Sequence, residues 1–157
     1  MISGGTVCGV VLIRDDGAAL LQLRDDKPDI QDPGIWVFPG GHADPGEEAV
    51  DAAKREFLEE TCYQVEDLRF LVSYSAQQVG DPGNYAIVFF WARFDGAQQV
   101  KCCEGQDLQF IARDAVSLLQ TRSYLPGVWD LAIAASRAGV VEVGRQANES
   151  LRQARTL

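Results

Sequence analysis

The sequence predicts an α/β (α+β) fold, a mixed central β-sheet sandwiched between helices. Three observations carry that expectation. Strand-like runs lie on both sides of one central helical stretch, and a second helical stretch comes late in the chain. The run Tyr85-Ala-Ile-Val-Phe-Phe-Trp-Ala is apolar almost throughout, as expected of a strand covered on both faces.

The elements follow in order. Thr6–Arg14 and Ala19–Asp25 read as strands joined by an Asp15-Asp16-Gly17 turn, a hairpin signal. A polar loop, Asp26–Gly34, carries Pro28 and Pro33 and leads to a short strand, Ile35–Pro39. A glycine-rich loop and a helix over roughly 48–61 come next. Leu68–Gln77 and Tyr85–Phe94 are further strands, parted by the turn residues Gly80-Asp-Pro-Gly83. Leu108–Ala112 is another short strand, followed by helical stretches at Arg113–Gln120 and Val128–Ala138. Residues 1–143 are read as one domain, and 144–157 as a polar C-terminal tail or loose helix.

Composition narrows the function classes. A chain of 157 residues with ordinary apolar content suits one domain with a real core. No apolar run approaches a membrane span, and Met1-Ile-Ser-Gly-Gly lacks the regions of a signal peptide, so a cytoplasmic protein with no membrane partner is expected. Cys8, Cys62, Cys102 and Cys103 show no Cys-x-x-Cys spacing, which points to reduced thiols. Adjacent Cys102 and Cys103 read as two small apolar strand residues, with a redox pair as the alternative. With a single histidine, a multi-His zinc site is excluded. The formal net charge of −9 argues against nucleic acid as a partner. A small phosphate-rich substrate is compatible with it once bound divalent ions invert the charge of an acidic site.

That acidic site is visible in Arg55-Glu56-Phe57-Leu58-Glu59-Glu60. Glu56, Glu59 and Glu60 fall at i, i+3 and i+4, so a helix gathers them within about a turn. They repel one another at a helix end where the macrodipole already disfavours negative charge. Glu56 and Glu60 also continue a stripe begun by Ala49, Ala52 and Ala53, with Val50 and Phe57 beside it. Ionised acids on an inward stripe are costly unless paired or bound to metal, and a divalent cation held by oxygen ligands answers the need.

The longer run Gly41-x5-Glu47-x7-Arg55-Glu56-Phe57-x-Glu59-Glu60-x-Cys62-Tyr63 resembles the signature of the Nudix hydrolases. The resemblance covers most of the chain in layout and residues 34–63 in specific motif. It implies a Nudix-type α/β/α sandwich and a Mg²⁺- or Mn²⁺-dependent pyrophosphohydrolase acting on a nucleoside diphosphate linked to another group. One position departs: Cys62 stands where the family usually has a glycine that ends the helix in a left-handed conformation.

By that resemblance, Glu56, Glu59 and Glu60 coordinate the metal, with the Gly41 carbonyl contributing. Glu47 and Arg55 suit an orienting role or a structural salt bridge. Glu59 serves as ligand or base. Glu104 resembles the acid that many Nudix enzymes supply from a late loop, as base or ligand, with Asp107 as fallback. His42, the single imidazole, lies in the metal loop and reads as a loop side chain near phosphate, with a role as base as the alternative. Arg24 is expected near a terminal phosphate or leaving group. Trp36, Phe38 and Tyr85 are candidates to stack on a base or flank a sugar, each with core packing as its alternative. The stretch Tyr124-Leu-Pro-Gly-Val-Trp129 suits a pocket wall or a homodimer contact. A nucleotide sugar or similar conjugate is favoured as substrate, over a nucleoside triphosphate (oxidised forms included) and over a Nudix-fold module that senses nucleotide without cleaving it. A calcium-binding domain fails, because no Asp-x-Asp-x-Asp-Gly loop exists.

Overall fold

The computed structural model describes residues 3–138; the expected tail at 144–157 lies outside them. The strands are Ser3–Ile13 (β1), Ala19–Leu23 (β2), Trp36–Val37 (β3), Gly40–His42 (β4), Arg69–Ser75 (β5), Asn84–Arg93 (β6) and Asp107–Ile111 (β7). Helix α1 spans Ala49–Thr61, and α2 covers residues 125–138. Among the described residues these strands form one sheet in the order β3-β2-β1-β6-β5, with β4 pairing β1 and β7 pairing β2. The β1–β6 pair is parallel and the others are antiparallel, so the sheet is mixed as expected.

Strand alternation divides the core into two layers. Val11 and Ile13 of β1, with Ile87, Phe89 and Trp91 of β6, face α2 and its Leu125, Val128 and Trp129. Cys8, Val10 and Leu12, with Phe90 and Ala92, face α1 through Ala52, Ala53 and Phe57. Both faces of β6 are therefore covered, which explains its unbroken apolar run. The Trp129 indole N–H donates to the Gly17 carbonyl at 2.9 Å, which ties α2 to the β1–β2 turn. No helix among the described residues is long and apolar enough to cross a membrane.

Several local readings are corrected. Gly40–His42 forms a strand rather than a loop, because its glycines let it pack against β1. A Cβ on Gly40 would lie 1.9 Å from the Cys8 carbonyl oxygen, so only glycine fits that approach. Arg113–Gln120 is a short 3-10 helix, Arg113–Leu118, burying only Val116, too narrow an apolar face to hold an α-helix. Cys102 and Cys103 are exposed loop residues. Their segment bonds the end of α1 instead of a strand: the Lys101 amide donates to Thr61 O at 2.8 Å and the Cys103 amide to Glu60 O at 3.0 Å.

Helix α1 ends where the departure from the glycine pattern stands. Cys62 has φ 58° and ψ 15°, and its amide donates to Leu58 O. A non-glycine residue in this left-handed region costs about 1 kcal/mol. Under reducing conditions, Cys62→Gly is expected to raise stability by up to about 1 kcal/mol. Denaturant unfolding checks it, and an unchanged or lower midpoint would contradict it.

Candidate active site

Between β4, the end of α1 and the loop before β7 lies a cleft of about 390 Å³. Its acidic end carries Glu56, Glu60 and Glu104. Helix α1 aims the first two inward: Ala52, Ala53 and Phe57 are buried against the sheet, and the same stripe continues into Glu60, only 4% exposed. The Gly40 amide donates to Glu60 Oε2 at 2.9 Å. Burial pushes the Glu60 carboxyl up to about 8, and the nearby charges of Glu104 and Glu56 add to the rise. Glu56 is also raised, by desolvation against the opposing pull of Arg55. Gly41 presses on this acid: a Cβ there would lie 2.5 Å from Glu56 Oε2.

Arg55 organises the surrounding loop. Its guanidinium donates to both Glu47 oxygens, at 3.0 and 2.9 Å, to Glu56 Oε1 at 2.9 Å and to the His42 carbonyl at 3.2 Å. That two-point contact, with the Asp44 amide, holds the Glu47 carboxyl down at about 2. Glu47 is thus a fixed anion that anchors Arg55. Glu59 lies farther out, 58% exposed, with Arg55 at 3.5 Å.

The Glu104 loop is fastened from behind. Gln22, a buried polar side chain, donates to the Glu104 carbonyl at 3.1 Å. Gly105 has φ +83°, and a Cβ there would lie 2.6 Å from Leu23 O, so the turn that presents Glu104 requires glycine. Asp107 is engaged otherwise: it accepts from its neighbours Leu108 and Gln109 and is not part of the cleft wall.

The other expected contacts divide. Arg24, Phe38, His42 and Tyr85 line the cleft, and Arg24 donates to the Gln31 carbonyl at 2.8 Å. Trp36 does not line it: β3 pairs it with Leu23 and packs it against the α2-side core, so packing prevails for that ring. Tyr124 and Leu125 form the cleft wall, while Trp129 is core. The sequence reading missed a polar cluster opposite the acids. Arg122 pairs with Asp32 at 3.0 Å and Asp81 at 2.6 Å, the Tyr85 hydroxyl donates to Asp81, and Gln31 donates to that hydroxyl at 3.2 Å. Positions 32, 81 and 122 share no local pattern, so no sequence signal could have joined them.

Chemically, the acidic end offers three hard carboxylate donors, Glu56, Glu60 and Glu104, in the cleft lining. Among the described residues, no three Asp, Glu, His or Cys side chains form a closed metal cage. The donors still fit a magnesium-class cation, because a carboxyl as buried as Glu60 is disfavoured as an anion until positive charge joins it.

The fold and this cleft define a class of domain: an α/β/α sandwich that sets a helix-borne acid cluster beside a nucleotide-sized cavity. Similarity places the chain within that class. The NUDIX domain matches residues 5–126, and the chain belongs to that family, which generally uses divalent ions such as Mg²⁺. A Bacillus subtilis (strain 168) protein named as a candidate 8-oxo-dGTP diphosphatase is 44% identical over 54 residues, 34% of this chain and 32% of that protein. The chain thus spans about a third of that relative's length. The CMP-5'-(N-acetyl-N-hydroxy-3-aminopropyl)phosphonate hydrolase of Streptomyces rubellomurinus (strain ATCC 31215) is 29% identical over 136 residues, 76% of this chain and 63% of that protein. Among solved structures, the NUDIX domain of Shewanella oneidensis NrtR complexed with ADP ribose superposes with a TM-score of 0.71 at 18% identity, covering 86% of this chain and 90% of that one.

Proposed function

We propose that this protein is a Mg²⁺- or Mn²⁺-dependent pyrophosphohydrolase that splits a nucleoside diphosphate joined to a further group by attack of water on phosphorus. The observation that carries the reading is Glu60: a carboxyl buried at the end of an alanine stripe, facing a cleft with Glu56 and Glu104. Glu56, Glu59, Glu60, Glu104 and the Gly41 carbonyl are the groups assigned to hold the ion. When bound, it supplies charge neutralisation at the phosphate oxygens.

The chain's own groups do the rest. Glu47 fixes Arg55, which steadies Glu56 and the His42 carbonyl and so keeps the loop and the helix in register. Glu59 or Glu104, both solvent-accessible carboxylates, takes the proton from the attacking water. Arg24, within the cleft and electrostatically coupled to Glu60, holds a phosphate of the leaving side. Phe38 and Tyr85 flank the nucleoside, with the Arg122–Asp81–Asp32 cluster closing the far wall.

A nucleotide conjugate is favoured as substrate. The relative matched over the larger share of this chain bears the name of a hydrolase of CMP joined to a phosphonate. The second reading, a nucleoside triphosphate pyrophosphatase acting on oxidised nucleotides, draws on the shorter and more identical match.

A panel of nucleotide sugars, other diphosphate conjugates, nucleoside triphosphates, 8-oxo-dGTP and triphosphate-ended RNA, incubated with Mg²⁺ or Mn²⁺ and analysed by mass spectrometry, tests this. Nucleoside monophosphate from conjugates, abolished by chelator, is the expected result. Pyrophosphate from triphosphates favours the second reading. Affinity without turnover on any compound overturns the hydrolase assignment in favour of a sensing module.

A further inference from the structure

We propose that Cys62 and Cys103 form an intramolecular disulfide on oxidation, a covalent clamp between the end of α1 and the loop that carries Glu104. The two sulfurs stand 2.7 Å apart, about 0.7 Å more than a sulfur–sulfur bond. Both cysteines are exposed and free, so a soluble oxidant reaches them. Their approach is imposed by the backbone: the amides of Lys101 and Cys103 donate to the carbonyls of Thr61 and Glu60 and lay the loop along the helix end. These bonds leave the side chains little further distance to travel. The left-handed conformation of Cys62 (φ 58°) caps α1, with its amide on Leu58 O, and sets this residue at the helix end where the loop arrives.

Cys102 is the internal control. It neighbours Cys103, yet its sulfur donates to the carbonyls of Glu104 and Gly105, while the Cys62 sulfur pairs with that of Cys103. Cys8 is excluded too, being buried and donating to the Ala49 carbonyl.

The chemistry balances with a small-molecule disulfide as oxidant. The sulfur of one cysteine attacks the oxidant's S–S bond and expels one thiol, leaving a mixed disulfide. The other cysteine's sulfur attacks the protein sulfur of that intermediate and expels the second thiol. Two electrons and the two thiol protons pass from the cysteine pair to the oxidant. The product closes a loop between residues 62 and 103 and pins the Glu104 segment to α1.

The experiment uses the full chain, incubated with oxidised or reduced glutathione, alkylated, digested with trypsin without reduction and examined by mass spectrometry. The expected product joins Glu56–Arg69 to Cys102–Arg113 with the loss of two hydrogens. It should be lost in Cys62→Ser and in Cys103→Ser, and retained in Cys102→Ser. The oxidised wild type should melt higher than the reduced form by roughly 5–10 °C, and Cys103→Ser should lose that difference. If Cys62→Ser fails to fold, the exposed loop variant Cys103→Ser decides alone. A crosslink that survives Cys103→Ser, a bond between adjacent Cys102 and Cys103, an intermolecular dimer, or thiols still fully alkylated after oxidation would each overturn the proposal. None of these readouts depends on turnover, so the clamp stands or falls separately from the hydrolase reading.

Discussion

Glu60→Gln is expected to lower turnover by about 10²–10³-fold while making the metal-free protein more stable near pH 8. Both effects come from one buried carboxyl. Glutamine keeps the shape and still accepts from the Gly40 amide, so the contact at 2.9 Å survives and the fold is undisturbed. It cannot carry the negative charge that the proposed cation site requires, hence the loss of turnover. It also cannot ionise. Wild-type Glu60 is only 4% exposed, and its ionised form is penalised by desolvation in the folded state alone. Removing that penalty is expected to stabilise the variant by about 2–4 kcal/mol in chelator, the scale of a shift of a few units at about 1.4 kcal/mol each. Steady-state kinetics and chelator-treated thermal melts check the two arms. Near-wild-type turnover would remove Glu60 from the proposed site, and a lower melting point would contradict its burial as a strained acid.

The second large effect is the pH dependence of metal-free stability. The Glu60 carboxyl rises from 4.5 in the unfolded chain to about 8 in the folded one. Between those values the folded state holds more protons than the unfolded state, so stability falls as pH rises. The contribution is fully present below about 4.5 and is lost by about pH 8. Glu56, also raised by desolvation, acts in the same direction. Glu47 acts oppositely: its carboxyl is held at about 2, so its contribution is present above 4.5 and disappears only as pH falls toward 2. A scan from pH 5 to 8 therefore isolates the two inward acids. Denaturant melts in chelator should weaken by several kcal/mol across that window. Mg²⁺ at about 100 times its dissociation constant should restore roughly 2.7 kcal/mol at the alkaline end and little at the acidic end. A flat profile in chelator, or equal rescue by Mg²⁺ at both ends, would contradict the arrangement.

Much of this was legible in the chain because it depends on short-range periodicity. The alanine stripe that turns into Glu56 and Glu60 is a helical pattern, and the structure buries Ala52, Ala53 and Glu60 on that face. The pairing of Arg55 with Glu47 was suggested by the family resemblance and the planar fork of arginine, and α1 with its preceding loop brings that fork onto both oxygens. The glycine strand β4 was not legible. Three residues are too few for a period, and its pairing is enabled by the absence of a Cβ opposite Cys8. The aromatic assignments divided for a related reason: Trp36 and Phe38 sit two apart on one extended segment and both pack with the α2-side core, yet only Phe38 reaches the cleft wall, which the folded arrangement alone decides.

By itself the sequence determined the longer strands and the central helix, the mixed α+β class and the helix-borne acids, since each rests on residue types at short spacings, and the signature's resemblance gave the family. Only the tertiary structure decided how deeply each acid is buried and which way its pKa moves, that Arg122, Asp32 and Asp81 meet across the cleft, and that Cys62 touches Cys103. Those outcomes depend on burial and on contacts between segments distant along the chain, and such contacts exist only once the sheet has brought the segments together.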